Sequence, residues 1–276
     1  MKKSNSIFYL KDIVCSYNRQ DEVLNIGELN IPQSKIVFVV GISGVGKSTF
    51  LETLACMHYS VVEQPKSAFF LQSNEKEYAL LQEWKKGEHS ISDIRKGQFS
   101  FIFQQSTFLE DCSALENMSL GAMLKDKSAH EVSADIIEWM ERLDLPAKEL
   151  HKNIKHFSGG QRQRMAFVRA LVSPFQLLFC DEPTGNLDAY TGDLLMQLLK
   201  QHIHKSGRTA IVVTHDLRAA LKYADQILVI KPIWKQMREE KKIIGVVSDK
   251  TYFDLSERRE AADQRRLLDW IKNIEN

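Results

Sequence analysis

The stretch VFVVGISGVGKSTF, residues 37–50, limits what this chain can fold into more than any other. The run KIVFVV is short, apolar and β-branched, as expected of a strand buried on both faces of a parallel sheet. GKSTFLETLACM follows with helical spacing, setting Leu51, Leu54 and Ala55 on one side. Between them lie Gly41, Ile42, Ser43, Gly44, Val45 and Gly46. Gly41 and Gly46 let this loop turn tightly and aim its N–H groups inward, and the helix N-terminus adds partial positive charge at the same point. The spacing G-x-x-x-x-G-K-[ST] builds a phosphate cradle. Lys47 would reach β- and γ-phosphates, and the Ser48 hydroxyl, followed by Thr49, would take a place on Mg²⁺.

The rest of the chain alternates strands with helices. FYLKDIVCSYN, SAFFLQ, QFSFIFQ, FQLLFCDEP, TAIVVTHD, DQILVI and KKIIGVVS read as strands. HEVSADIIEWMERLDL places Val132, Ile136, Ile137, Met140 and Leu143 on one helical stripe, and Gly207 closes a helix over DAYTGDLLMQLLKQHIHKSG. Polar motifs at strand C-termini describe a parallel α/β core. Residues 58–100 are less regular, and YALLQEWKKG fits a strand or a short helix. In the tail, Leu267, Trp270, Ile271 and Ile274 form a narrow apolar stripe on an expected helix.

Composition narrows the function classes. A net charge of +1 over 276 residues leaves no electrostatic footprint for DNA or RNA, so no nucleic-acid partner is expected. Cys15, Cys56, Cys112 and Cys180 are scattered without zinc-site spacing, and three sit in apolar or helical contexts suited to small core residues in a reducing compartment. No window approaches about 18 uninterrupted apolar residues, and the amino terminus has no apolar leader region. A cytosolic chain is expected, with any membrane role arising through a partner. His202 and His204 are two apart on a helix and do not face each other, so the histidines outside the motifs read as surface residues.

Four further stretches occur in a fixed order. FIFQQ carries Gln104; HFSGGQRQRMAFVRAL carries Ser158, Gly159, Gly160 and Gln161; LLFCDEPTGNLD carries Asp181, Glu182 and Asp188; IVVTHD carries His215. With the phosphate loop, they resemble the ATP-binding-cassette (ABC) ATPases from about residue 6 to residue 232. The resemblance implies an α/β fold: a P-loop NTPase (RecA-like) core with an antiparallel β arm and an inserted α-helical subdomain at about 105–172. It also implies an ABC domain over 1–235 and an extension over 236–276, strand and helix, with no assigned role.

By the same resemblance, ATP and Mg²⁺ are the expected ligands. Asp181 would hold the Mg²⁺ shell opposite Ser48, with Gln104 touching both metal and water. Glu182 would be the catalytic base; a helix-capping role for the Asp181–Glu182 pair is the alternative. His215 would read the γ-phosphate, and Asp188 belongs to the loop that follows. Tyr17 matches the family's adenine-stacking aromatic, against a plain structural tyrosine. Ser158–Gln161 would meet the γ-phosphate held by a second ATP-binding subunit, so two copies joined head to tail would complete two sites. Phe157 replaces the family's usual leucine before SGGQ, and the β arm lacks its common glycine turns.

DEPTGNLD with LENMSLG is similar to the lipoprotein-release, macrolide-efflux and cell-division branch (LolD-, MacB- and FtsE-like). That branch works with a separate membrane-spanning permease and places the chain on the cytoplasmic face of the cell membrane. Another importer or exporter class, or a soluble ABC ATPase, remains the alternative. The segment after Gln104 would dock the membrane subunit. There Phe108, Leu109 and Leu115 lie beside Glu110, Asp111 and Glu116, an apolar cleft expected to be rimmed by acids, unless these apolar residues simply pack the helical subdomain.

Overall fold

The computed structural model describes residues 5–18, 21–73, 76–105, 107–237, 240–255 and 268–269. The chain opens with β1 (Ser6–Lys11), β2 (Ile13–Ser16), β3 (Glu22–Ile26), β4 (Leu29–Pro32) and β5 (Ile36–Val40), then α1 (Lys47–Leu54). Next come β6 (Val61–Val62), β7 (Ala68–Ser73), β8 (Lys76–Ala79), α2 (Leu80–Lys86), α3 (Glu88–Gln98) and β9 (Phe99–Ile102). Three helices follow, α4 (Ala114–Met123), α5 (Ala129–Arg142) and α6 (Gly159–Val172). The core resumes with β10 (Leu177–Asp181), α7 (Ala189–Ser206), β11 (Thr209–Val213), α8 (Leu217–Tyr223) and β12 (Gln226–Val229). The chain then adds β13 (Lys231–Met237), β14 (Glu240–Val247) and β15 (Tyr252–Asp254).

The central sheet runs β15-β12-β5-β11-β10-β9, parallel throughout except for the edge strand β15. Strand alternation divides its side chains between two cores. Ile36, Phe38 and Val40 of β5, with Leu178 and Cys180 of β10, face the cluster that includes the inserted helices. Val37 and Val39, with Leu177 and Phe179, face the cluster shared with the β arm. Burying one such side chain contributes about 1.5–3 kcal/mol. A polar residue on either face of these strands would therefore cost more than its local propensity suggests.

The arm consists of two further sheets, β4-β1-β7-β8 and β13-β14-β3-β2-β6. The expected strand over FYLKDIVCSYN breaks at Asp12, whose φ of 50° turns the chain from one sheet into the other. YALLQEWKKG resolves into the end of β8 and all of α2. The sequence reading missed α3, which buries only Ile91 and Ile94 and carries Gly97 in its last turns, too little stripe to recognise.

All three inserted helices begin with a capping box: Ser113 with Glu116, Ser128 with Glu131, and Ser158 with Gln161. Each satisfies two orphan N–H groups and is worth on the order of 1 kcal/mol. The α5 stripe is rotated from the expected one: Trp139 is buried and Ile137 only half-buried. His202 also departs from expectation. It is half-buried beside Trp139 and Phe175 rather than on the surface, because the α7 stripe faces α5 there.

The boundary expected at residue 235 falls inside β13. Residues 240–254 are woven into the fold, β14 pairing in parallel with β3 and β15 antiparallel with β12. The apolar stripe of Leu267, Trp270, Ile271 and Ile274 lies outside the described residues. Among those described, no helix is long and apolar enough to cross a membrane.

Candidate active site

β5 and α1 set the phosphate loop between them. Gly44 and Gly46 carry positive φ, 74° and 97°, which L side chains adopt at a cost. Gly41, expected to turn the chain, is glycine for a different reason. A methyl group there would stand 2.8 Å from the Ile230 carbonyl oxygen and 2.9 Å from Val45 Cγ1. Ser43, Gly44 and Ser48 are exposed, whereas Val45 is fully buried and anchors the loop. Lys47 Nζ donates to the carbonyls of Gly41 and Ile42, both at 3.0 Å, folding its ammonium over the loop. Burial lowers its pKa, against the opposing pull of Glu182 and Asp181.

Thr49 is buried, and its Oγ1 shares a 2.9 Å hydrogen bond with the Tyr17 hydroxyl. Tyr17 also donates to Glu52 Oε2 at 3.1 Å, and its ring lies 5.0 Å from that of His58. Its hydroxyl is thus tied to α1 while the ring is 58% exposed, open to a stacking partner.

Asp181 ends β10, where burial, Glu182 and Glu52 raise its pKa and Lys47 opposes them. Glu182 follows with φ of 45°, a left-handed conformation costing about 1–3 kcal/mol for such a residue. Its N–H donates to the Val213 carbonyl at 2.9 Å, fixing it to β11. Its carboxylate is gripped twice: Thr214 Oγ1 donates to Oε2 at 3.2 Å, and His215 Nδ1 lies 2.9 Å from Oε1. The ends of β10 and β11 therefore meet at Glu182, and among the described residues no helix-capping contact is made by the Asp181 or Glu182 side chain.

Gln104 is exposed just past β9, and its carbonyl accepts from Asn186 Nδ2 at 3.2 Å. Asp188 caps α7, accepting from Thr191 N at 2.9 Å and Thr191 Oγ1 at 2.7 Å. Ser158 and Gln161 hold each other across the start of α6, with Gly159 exposed and Gly160 half-exposed between them. Among the described residues no hydrogen bond or ion pair joins residues 158–161 to residues 41–49.

Sequence reasoning missed three supports of this site. Gln163 Nε2, buried, donates to the Pro183 carbonyl at 2.9 Å and bolts α6 to the loop after Glu182. Thr214 grips Glu182, and Gly245 of β14 lies against Val45. Only Thr214, adjoining His215, carried a local signal.

The family model described as "ABC transporter" matches residues 24–185. The chain belongs to the ABC transporter ATPases. It is 36% identical over 215 residues to the macrolide export ATP-binding/permease protein MacB of Shewanella sp. (strain W3-18-1), covering 77% of this chain and 31% of MacB. The cassette thus spans about a third of the length of that relative. Against the uncharacterised ABC transporter ATP-binding protein MJ0796 of Methanocaldococcus jannaschii it is 31% identical over 243 residues, 86% of this chain and 97% of the other. The solved dimeric structure of MJ0796 superposes with a TM-score of 0.67 at 29% identity, covering 80% of this chain and 93% of that one. CbiO1 of Clostridium perfringens, at 20% identity, shares the fold with a TM-score of 0.71 over 99% of this chain and 100% of its own. The cassette therefore has the P-loop NTPase (RecA-like) fold with its helical insertion, and it is an ATP-hydrolysing subunit.

Proposed function

We propose that two ATP-binding subunits of this kind close head to tail around two ATP molecules and drive a separate membrane-spanning permease. The observation that carries this reading is that, among the described residues, no hydrogen bond or ion pair joins Ser158–Gln161 to residues 41–49 of the same chain. Each chain holds a phosphate loop lacking a second anion clamp and a clamp lacking its phosphate. The solved dimers of MJ0796, one of them titled as bound to ADP and Pi, support a second subunit as the missing half.

Within one site, N–H groups of residues 41–49 and the Lys47 ammonium bind the phosphates. Tyr17 stacks on the adenine. Glu182, aimed by Thr214 and His215, takes a proton from the water attacking the γ-phosphorus, and ADP leaves. His215, once drawn to the γ-phosphate, releases or restrains Glu182 according to whether nucleotide is present. Gln104 and Asp188 lie where each half meets its neighbour.

Hard oxygen donors at Ser48, Asp181 and Gln104 suit Mg²⁺. Burial above all, then the neighbouring Glu182 and Glu52, raises the pKa of Asp181, a cost to its charged form that a bound cation would offset. No three acidic, histidine or cysteine side chains form a protein-only cage among the described residues, so phosphate oxygens would complete the shell. Bound Mg²⁺ would neutralise charge on the β- and γ-phosphate oxygens.

Kinship to MacB supports the branch in which the cassette moves force into a membrane partner at the cytoplasmic face. In the segment expected to dock the membrane subunit, Leu109, Glu110, Asp111 and Glu116 are all exposed, and some of these side chains already have partners within the chain. Asp111 is paired to Lys155 at 2.6 Å, Glu116 is held by the Ser113 cap, and Phe108 lies under the Arg169 guanidinium at 4.7 Å. The neighbouring apolar groove, a cavity of about 530 Å³ lined by Phe101, Phe103, Leu120 and Leu124, is rimmed by Arg95, Lys96, Lys125 and Arg169. Of these cations Arg95 pairs with Glu88 and Lys96 lies 3.8 Å from Asp126, while Lys125 and Arg169 have no carboxylate partner among the described residues and would meet a partner helix carrying acids.

Glu182→Gln tests the core of this reading. ATP binding should persist while turnover falls at least about a hundredfold, and the ATP-bound dimer should outlive that of the wild type by size-exclusion chromatography. Turnover within a few-fold of wild type would remove Glu182 as the base.

A further inference from the structure

On the side of the molecule formed by α5, the end of α6 and the end of α7 lies a cavity of about 630 Å³ that the ATP site does not use. Its wall is aromatic and cationic together. Trp139 is 6% exposed with the Arg142 guanidinium 4.3 Å above its ring, and Arg208 lies 4.4 Å over Phe175. Lys205 and Ser206 stand at the mouth.

The cavity wall carries Arg142, Lys205 and Arg208 against Asp135 and Glu138, a single cation in excess. Glu138 pairs with Arg142 at 3.8 Å, and Asp135 lies on the same rim of α5. Among the described residues, no carboxylate lies within ion-pair distance of Arg208 or Lys205. The polar contact of Arg208 is instead the His202 ring, Nη1 to Nε2 at 3.4 Å, where only a neutral imidazole can accept. The neighbours register the same excess. Burial, then Arg208, Arg142 and Lys205, push His202 down to about 4, and burial with Arg208 pushes Lys125 to about 8. Arg142 is answered by Glu138, whereas Arg208 and Lys205 line the same cavity with no carboxylate paired to either among the described residues.

We propose that this cavity is a binding site for a phosphate group, held between Arg208 and Lys205, with room along Trp139 for the organic body of a small phosphomonoester. A guanidinium presents paired donors that match two phosphate oxygens, and an ammonium adds a point charge. The volume exceeds that of inorganic phosphate alone. The cavity lies between α5 and α6 of the inserted helices and the end of α7, so the phosphate rests at the α7 end while the organic body reaches Trp139 of α5. The site itself stands independently of the roles assigned at the ATP site.

The test is calorimetric titration of the full chain with ADP saturating the P-loop, using inorganic phosphate and ribose 5-phosphate as separate probes. Saturable binding should occur for at least one probe, and the tighter probe identifies free phosphate or a phosphomonoester as the source. Arg208→Gln should weaken it roughly ten- to hundredfold, the cost of a lost charge-assisted hydrogen bond. Lys205→Glu, an exposed substitution that leaves folding intact, should weaken it by about tenfold or more if Arg208→Gln fails to fold. Absence of saturable binding by both probes, or affinity unchanged in Lys205→Glu, overturns the assignment.

Discussion

A methyl group added at Gly245 would stand 2.1 Å from the Val45 carbonyl oxygen and 2.8 Å from Ile230 Cγ2. Neither neighbour can swing aside, since one is loop backbone and the other is buried. Gly245→Ala should therefore displace the phosphate loop and weaken ATP binding by about tenfold or more, with the fold retained by circular dichroism. Equal affinity in a nucleotide titration would show that the loop tolerates the shift. Tyr17 separates two effects by substitution. Tyr17→Ala should raise the ATP requirement by roughly five- to 150-fold with little change in maximal rate, the worth of one stacked base. Tyr17→Phe keeps the ring and loses only the bonds to Thr49 and Glu52, so its ATP requirement should stay near wild type. If both variants behave alike, the hydroxyl rather than the ring matters.

Among the elements, α7 carries the clearest pH dependence. His202 titrates at about 4 in the fold against 6.5 when free. Its folded pKa is depressed, so the fold binds fewer protons there than the unfolded chain does. Its contribution is fully present above about pH 6.5 and is lost as pH falls toward 4. Wild type should therefore lose more stability than His202→Asn between pH 7 and pH 4.5, read as a steeper fall in urea midpoint. Parallel curves would place the imidazole in water. This burial was illegible in the sequence because nothing near His202 signals the face that α5 covers. Elements with strong local signals were legible: β5 and the loop after it, the helix closed by Gly207, and the strand ends carrying Asp181 and His215. α3 was not, because two buried isoleucines make no period. Gly245 and Gln163 were hidden for another reason: their partners lie far away in the chain, at Val45 and Pro183.

For the whole molecule, we propose the groove beside the inserted helices as the grip on a membrane partner. The sequence reading set its docking cleft elsewhere, at Phe108, Leu109 and Leu115 beside Glu110, Asp111 and Glu116. Folding instead turns Glu116 into a cap, pairs Asp111 with Lys155, and brings Lys96 from α3 and Arg169 from α6 to the rim. Lys96 is exposed and Leu124 is 60% exposed. Lys96→Glu and Leu124→Asp should each keep basal ATP hydrolysis within about twofold while reducing co-purification with the membrane subunit by about fivefold or more. Glu110→Lys should do neither. Loss of co-purification in Glu110→Lys alone would return the docking surface to the acidic segment.

The placement of β14 has a consequence for genetics. A stop codon after Lys235 leaves every diagnostic motif of the cassette in the gene, and a motif search would score the product as intact. That product lacks the strand that pairs with β3 and lies against Val45, and it lacks the edge strand beside β12. Truncations between Lys235 and β14 should thus behave as nulls for nucleotide binding, indistinguishable in phenotype from loss of Lys47.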